Sequence, residues 1–214
     1  MDNEILQEIS NNLQRGKAKV VKELVQQALD AGIDPETILR EGMLSGMNII
    51  GEKFKNNEVY VPEVLVAARA MNMGTQVLKP ALEASGVKAT GKACIGTVQG
   101  DLHDIGKNLV IMMLEGAGFE VINGGVDVAP EKIVEDVKKL HPDIIGMSAL
   151  LTTTMLHMKD TIELLKEEGL RDQVKVIIGG APVSQDFADE IAADGYSPDA
   201  VSAADLAKSL VGAA

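Results

Sequence analysis

The sequence predicts a small helical bundle followed by a doubly wound parallel α/β sheet. Apolar residues recur at three- and four-residue steps through roughly the first eighty residues, which is typical of amphipathic helices. From residue 91 onward, short apolar runs alternate with helical segments, a rhythm that predicts parallel strands with crossover helices. These runs are apolar almost throughout, which favours a sheet covered on both faces.

The first half is predicted to contain four helices joined by short connections. Asp34 and Pro35 form a helix start, with a capping carboxylate and a proline in the first turn. That helix is expected to run to about Phe54. Pro62 opens another helix, which is expected to end near Pro80. Helices of this kind with short links favour an antiparallel bundle.

The second half is predicted to contain five strands separated by helices. Strands are expected at 93–98, 119–122, 143–148, 174–178 and, briefly, around 199–200. Helices are expected at 105–117, 130–140, 155–168 and 185–192, with a last one from Ala203. This alternation predicts a Rossmann- or flavodoxin-like sheet. We place the helical domain at 1–88 and the α/β domain at 91–214, with a linker around 83–90.

Composition argues against several classes of protein. The net charge of −12 (20 Lys and Arg against 32 Asp and Glu) disfavours binding to nucleic acid, which requires clustered cations. Cys94 is the single cysteine, so an intrachain disulfide and a multi-cysteine metal site are excluded. The start, MDNEILQEIS, does not resemble a signal peptide, and no apolar run is long enough to span a membrane. We therefore expect a cytoplasmic protein without a membrane partner.

The candidate site lies where the predicted strands end. Ligands of open α/β sheets bind beyond the carboxyl ends of the strands, near the point where the strand order reverses. Residues 99–108, 148–154 and 179–182 follow three of these ends and should converge. His103 has Asp101 two residues before it, and a carboxylate on one ring nitrogen fixes the tautomer and raises the basicity of the other.

The residues alone leave other interpretations open. His103 can equally be an ordinary loop histidine, with Asp104 capping the next helix, and we interpret His141 and His157 as structural or solvated. Neither the dinucleotide fingerprint nor the phosphate-binding loop follows the first strand, so nicotinamide and ATP lose their main support. Ser148 lacks the G-x-S-x-G context of a hydrolase nucleophile.

Three linked motifs resemble the cobalamin-binding signature of B12-dependent methyltransferases and mutases. They are D-x-H-x-x-G at Asp101, His103 and Gly106, S-x-L at Ser148 and Leu150 after 41 intervening residues, and Gly179 with Gly180 after 28 more. Residues 100–108 resemble the methyl-transfer branch more than the mutase branch. Residues 46–54 and 61–64 resemble the helical cap of methionine synthase, and the whole chain resembles the stand-alone corrinoid proteins.

This resemblance implies a role for each matching position. His103 would be the lower axial ligand to cobalt in a base-off, histidine-on cobalamin, with Asp101 hydrogen-bonded behind it and Ser148 ending that relay. The implied cofactor contacts are Gly100, Leu102, Asp104, Ile105 and Gly106 at the lower face and tail, Ser148, Leu150 and Thr152 around the displaced base, and Gly179, Gly180 and Ala200 along the tail and base. Phe54 and Val61 would belong to the cap over the methyl-bearing face, although Phe54 can also be bundle core and Val61 stands where methionine synthase has leucine.

The implied function is carriage of a methyl group on cobalt, as methylcobalamin. A substrate:corrinoid methyltransferase of the methylamine, methanol, glycine betaine or methoxyaromatic type would donate the methyl group. A methylcorrinoid:tetrahydrofolate or thiol methyltransferase would accept it, and a reductive activase would be a third partner. The chain is too short to include a substrate-activating barrel, so no turnover is expected from it alone. A cobalamin-dependent regulator and a mutase small subunit remain alternatives, although the first needs a DNA-binding segment and the second commonly lacks the cap.

Overall fold

The computed structural model describes residues 2–213, which form two compact units. One unit contains the residues up to Ala89 together with the short segment Gly116–Gly118. The other contains Thr90–Glu115 and the chain from Phe119 onward. Within residues 2–213, no helix has the length and apolar character needed to cross a membrane.

The first unit is built from helices. They are α1 (Asp2–Gln14), α2 (Ala18–Asp30), α3 (Pro35–Thr37), a π-helical segment (Ile38–Leu44), α4 (Ser45–Lys55) and α5 (Val61–Ser85). The predicted cap before α3 is present, because the Asp34 carboxylate accepts a hydrogen bond from the backbone N–H of Thr37 at 3.0 Å. Aliphatic and methionine side chains fill the interior, including the fully buried Leu13, Met43 and Met47.

Helix α5 does not end near Pro80, as the sequence predicted, but continues to Ser85. A proline inside a helix removes one backbone hydrogen bond. Burial of the apolar face outweighs that loss, and Leu78, two residues before the proline, is fully buried. The helix ends instead at Gly86, whose φ of 73° is the left-handed conformation that glycine adopts easily.

The second unit confirms the predicted parallel sheet. Its strands are β1 (Lys92–Val98), β2 (Glu120–Val128), β3 (Ile144–Ser148), β4 (Lys175–Gly179) and β5 (Gly195–Tyr196), in the order β2-β1-β3-β4-β5. Its helices are α6 (Ile105–Gly116), α7 (Pro130–Leu140), α8 (Leu156–Glu167), α9 (Gln185–Ile191) and α10 (Ala200–Leu210), with a 3-10 turn at Arg171–Gln173. The strand order reverses between β1 and β3, so the carboxyl ends of these strands form the crevice where ligands bind in such sheets.

The short strand predicted at 199–200 is wrong. Strand β5 lies earlier, at Gly195–Tyr196, where it pairs with β4. Asp199 is instead the N-cap of α10, and its carboxylate accepts a hydrogen bond from the backbone N–H of Ser202 at 2.8 Å. The helix consequently begins at Ala200 rather than Ala203. An N-cap residue has extended backbone angles, so its local conformation resembles a strand although it pairs with none.

Candidate functional site

A tight turn after β1 starts the candidate site. The backbone N–H of Asp101 donates to the carbonyl of Val98 at 3.1 Å, which closes a turn of four residues. Gly100 occupies the third position with a φ of 78°. Turns with this geometry require a positive φ there, so the glycine is needed for conformational reasons. The turn sends the Asp101 side chain inward at the carboxyl edge of the sheet, where that side chain is fully buried.

The Asp101 carboxylate is surrounded by hydrogen-bond donors. Its Oδ1 accepts from the backbone N–H of His103 at 3.0 Å and lies 2.7 Å from His103 Nδ1. Its Oδ2 accepts from the backbone N–H of Leu150 at 2.7 Å and from the Thr154 hydroxyl at 2.8 Å. A carboxylate has about four acceptor positions, and here each oxygen has two partners.

These partners keep Asp101 ionised. Burial alone raises the pKa of a carboxyl group, but the hydrogen bonds from Leu150, His103 and Thr154 hold the pKa of Asp101 well below its usual range. A carboxylate without a proton can only accept, so Nδ1 of His103 must carry the ring hydrogen toward it. Nε2 of the neutral imidazole is then the nitrogen with the free lone pair.

His103 combines a fixed backbone with an accessible ring. Its backbone carbonyl accepts a hydrogen bond at 2.9 Å from the hydroxyl of Thr97, a fully buried residue of β1. The His103 side chain is 55% exposed. Among residues 2–213 no hydrogen bond reaches Nε2. The ring therefore presents a fixed lone pair to whatever binds at this edge of the sheet.

The hydroxyl that donates to Asp101 belongs to Thr154, whereas the resemblance to the cobalamin-binding signature implied Ser148. Ser148 ends β3 in register with Thr97 and Gly179, and no hydrogen bond joins it to Asp101 in the described chain. Beyond β3 the chain folds back in a turn closed by Thr154 N–H on Leu151 O at 3.2 Å, which buries Thr154. The sequence contains three successive threonines, 152–154, and only the turn decides which of them faces inward.

Exposed apolar residues lie near His103 along the chain and in the segment that contacts Asp101. Leu102 and Ile105 are 71% and 75% exposed, and Leu150 is 43% exposed. Gly106 is also exposed, and a Cβ built on it would have no atom within 4 Å. Aliphatic side chains placed together in water usually mark a surface that a ligand covers. The absence of a side chain at Gly106 leaves open space, which would accommodate a flat, largely apolar ligand.

The residues present fit a metal ion whose other ligands come from a cofactor rather than from the protein. Within the described residues, no group of three or more His, Cys, Asp and Glu side chains could hold a metal ion. A metal bound to Nε2 of His103 would therefore depend on a second, non-protein set of ligands. A corrin macrocycle supplies such a set, and the apolar surface beside His103 suits its face.

Gly179 and Gly180 meet the protein's own backbone. Gly180 has a φ of 130°, and a Cβ there would stand 1.8 Å from the carbonyl oxygen of Ala149. The backbone N–H of Ala149 also donates to the Gly179 carbonyl at 3.2 Å. The segments after β3 and β4 therefore approach each other so closely that position 180 requires glycine, whether or not a cofactor binds there. The predicted contacts of both glycines with a nucleotide tail remain predictions.

The other predicted contacts have less distinctive surroundings. Thr152 and Asp104 are exposed, and Ala200 is buried as the first residue of α10. Phe54 and Val61 belong to the other unit, where both are partly buried, near the end of α4 and at the start of α5. Their roles toward a cofactor remain predictions.

Comparison with known proteins agrees with this geometry. Residues 91–205 match the family model described as the B12 binding domain, and residues 5–79 match a second model with the same description. The trimethylamine corrinoid protein of Methanosarcina barkeri is 47% identical over 184 residues, which is 85% of each chain. A corrinoid protein of Desulfitobacterium hafniense is 41% identical over 211 residues, or 97% of this chain and 98% of that protein. The crystal structure of the methanol:cobalamin methyltransferase complex from M. barkeri superimposes with a TM-score of 0.86 at 31% identity, covering 99% of this chain and 81% of that chain.

Proposed function

This chain belongs to the B12-binding corrinoid proteins of methyltransferase systems, and we propose that it carries a methyl group on a base-off corrinoid ligated by His103. The observation that supports this most directly is the buried Asp101 carboxylate 2.7 Å from His103 Nδ1, which leaves Nε2 free at an apolar, accessible surface. When bound, the corrinoid supplies the cobalt to which a methyl group is transferred and from which it is passed on.

The protein's part is ligation and orientation. Asp101 holds Nδ1–H and so directs the Nε2 lone pair outward, while Thr154 and Leu150 hold Asp101 in place. We assign the displaced dimethylbenzimidazole and its tail to the region of Ser148, Leu150, Thr152, Gly179, Gly180 and Ala200. We assign shielding of the opposite, methyl-bearing face to the helical unit through Phe54 and Val61.

We propose a methylamine as the methyl donor, with trimethylamine as the first candidate. The relative of that name is 47% identical to this chain, whereas the methanol system is represented by a structure at 31% identity. A substrate:corrinoid methyltransferase would donate the methyl group to this protein. A second methyltransferase, acting on tetrahydrofolate or a thiol, would remove it, and a reductive activase would restore cobalt after oxidation.

The ligation proposal is tested by electron paramagnetic resonance of the protein reconstituted with cobalamin and reduced to Co(II). Labelling histidine with nitrogen-15 should change the axial nitrogen splitting, and labelling dimethylbenzimidazole should leave it unchanged. His103→Ala should remove the histidine splitting, and His157→Ala, the matched control, should retain it. A splitting that follows the dimethylbenzimidazole label in the unaltered protein would contradict the proposal.

The donor proposal is tested by incubating the reconstituted, reduced protein with purified trimethylamine, dimethylamine or methanol methyltransferases. Each reaction receives its own carbon-14-labelled substrate. Label should be retained on the protein from a methylamine and not from methanol. A protein that accepts no label from any donor but binds adenosylcobalamin tightly would favour the regulator or mutase alternative.

A further inference from the structure

The end of β2 contains a strained residue that the cobalamin motifs do not include. Asp127 has a φ of 52°, in the left-handed region that residues other than glycine seldom adopt. The pairing of β1 with β2 is irregular just there: Ile95, Gly96 and Val98 face Asn123, Gly125 and Val128, so β2 contains two extra residues. Bulges of this kind bend a strand locally, and here they turn Asp127 toward the neighbouring turn after β1.

Asp127 holds that turn by two hydrogen bonds. Its carboxylate Oδ1 accepts from the backbone N–H of Gly100 at 2.7 Å. Its own backbone N–H donates to the carbonyl oxygen of Asp101 at 2.9 Å. The two bonds therefore flank the peptide group between Gly100 and Asp101, and one uses the side chain of Asp127 while the other uses its backbone.

The turn needs such support because of its own composition. Gly100 has access to more backbone conformations than any other residue, and alternative conformations would move the Asp101 side chain off its partners. The other hydrogen bonds that connect Asp101 and His103 to the rest of the chain involve residues on β1 or beyond β3, namely Thr97, Val98, Leu150 and Thr154. The hydrogen bonds of Asp127 hold the turn from the opposite side, where β2 lies.

We propose that Asp127 is a positioning residue for the axial histidine. It selects the conformation of the Gly100–Asp101 turn in which Asp101 faces His103 Nδ1. The inference rests on the proposed function of His103 as a cobalt ligand. Asp127 itself is exposed and acts only through the turn.

Two variants test the side-chain acceptor of Asp127 and leave its backbone N–H in place. Asp127→Gly relieves the backbone strain but removes the acceptor, so the Gly100 amide loses its partner. Asp127→Asn retains an oxygen acceptor and tolerates the left-handed region, although a neutral acceptor binds less strongly than a carboxylate. Ala192→Gly is a matched control, because Ala192 also has a positive φ of 58° and lies after α9, outside the site.

The first measurement is hydrogen exchange of the Gly100 amide in the full-length protein without corrinoid. Exchange should be about tenfold faster in Asp127→Gly, the factor that corresponds to loss of one hydrogen bond to a charged group. Asp127→Asn should lie between that variant and the unaltered protein, and Ala192→Gly should match the unaltered protein. Should Asp127→Gly fail to fold, Asp127→Asn decides, with faster Gly100 exchange expected. Unchanged exchange overturns the inference.

The second measurement is the fraction of bound Co(II) cobalamin with a histidine nitrogen in its axial splitting. That fraction should fall in Asp127→Gly, recover largely in Asp127→Asn, and stay unchanged in Ala192→Gly. Full histidine ligation in Asp127→Gly overturns the positioning role even if exchange is faster. Absence of histidine ligation in the unaltered protein would instead refute the proposed function, whereas the exchange result would still report whether Asp127 holds the turn.

Discussion

Two histidine–aspartate pairs in the second unit have the same chemistry and different surroundings. His103 Nδ1 lies 2.7 Å from Asp101, whose side chain is fully buried. His157 Nδ1 lies 3.0 Å from Asp160, whose side chain is 54% exposed. The Asp101 carboxylate accepts three further hydrogen bonds, whereas within residues 2–213 no other hydrogen bond to the Asp160 carboxylate is present.

The difference shows that a histidine and a nearby carboxylate do not by themselves make a ligand. His157 and Asp160 are neighbours on one turn of α8, where water screens the pair and competes for both partners. Asp101 is removed from water and held on four sides, so it can hold the imidazole of His103 in one orientation. Burial and saturation of the carboxylate distinguish the two pairs.

The largest expected difference between the two pairs is the loss of stability when the carboxylate is removed. Asp101→Ala leaves the donors of Leu150, His103 and Thr154 without their partner, so we expect the free energy of unfolding to fall by about 3 kcal/mol. Asp160→Ala should change it by less than about 0.5 kcal/mol, as for other exposed ion pairs. Urea unfolding of both proteins without cofactor measures this. Losses of equal size would show that the two pairs are equivalent.

The pH dependence of stability should differ in the same way. The folded-state pKa of Asp101 lies below its unfolded value, so its stabilisation is complete above about pH 5 and is lost progressively as the pH falls toward the folded pKa. One such group changes the free energy of unfolding by at most about 1.4 kcal/mol per pH unit. The free energy of unfolding is measured by urea titration at several pH values between pH 5 and pH 3. Its slope against pH should be smaller in Asp101→Asn than in the unaltered protein, and unchanged in Asp160→Asn. The same slope in both variants would contradict the assignment.

A smaller effect identifies which hydroxyl completes the buried pair. Thr154→Val keeps the side-chain shape and removes the donor to Asp101, so it should destabilise the protein by about 1–2 kcal/mol. Ser148→Ala should have an effect below about 0.5 kcal/mol. The measurement is urea unfolding at pH 7. A larger loss in Ser148→Ala would instead support the relay through Ser148 that the resemblance to the cobalamin-binding signature implied.

A substitution at Gly106 should affect cofactor binding and stability in opposite directions. Gly106→Ala should stabilise the cofactor-free protein slightly, by about 0.5 kcal/mol, since alanine is favoured over glycine in α6. It should weaken cobalamin binding by about 1 kcal/mol or more, because the new methyl group enters space that the corrinoid would fill. Thermal unfolding and titration with hydroxocobalamin give the two numbers. Unchanged affinity would show that the cofactor does not approach Gly106.

Local signals in the sequence were enough for the order of helices and strands and for the site loop. Periodicity, capping residues such as Asp34 and the short apolar runs depend on neighbours close along the chain. The pairing of Asp101 with His103 was equally predictable, because an aspartate two residues before a histidine in a loop reaches its backbone N–H and ring.

The remaining features depend on residues far apart along the chain. Thr154 rather than Ser148 reaches Asp101 because the turn beyond β3 brings residue 154 to a carboxylate 53 positions earlier. Asp127 contacts the Gly100 turn only because β2 lies beside β1 and contains two extra residues. Helix α5 passes Pro80 because burial along its length outweighs one lost hydrogen bond. Hydrogen bonds and burial depend on which residues are close in space. For residues far apart along the chain, only the packing of the sheet and helices determines that.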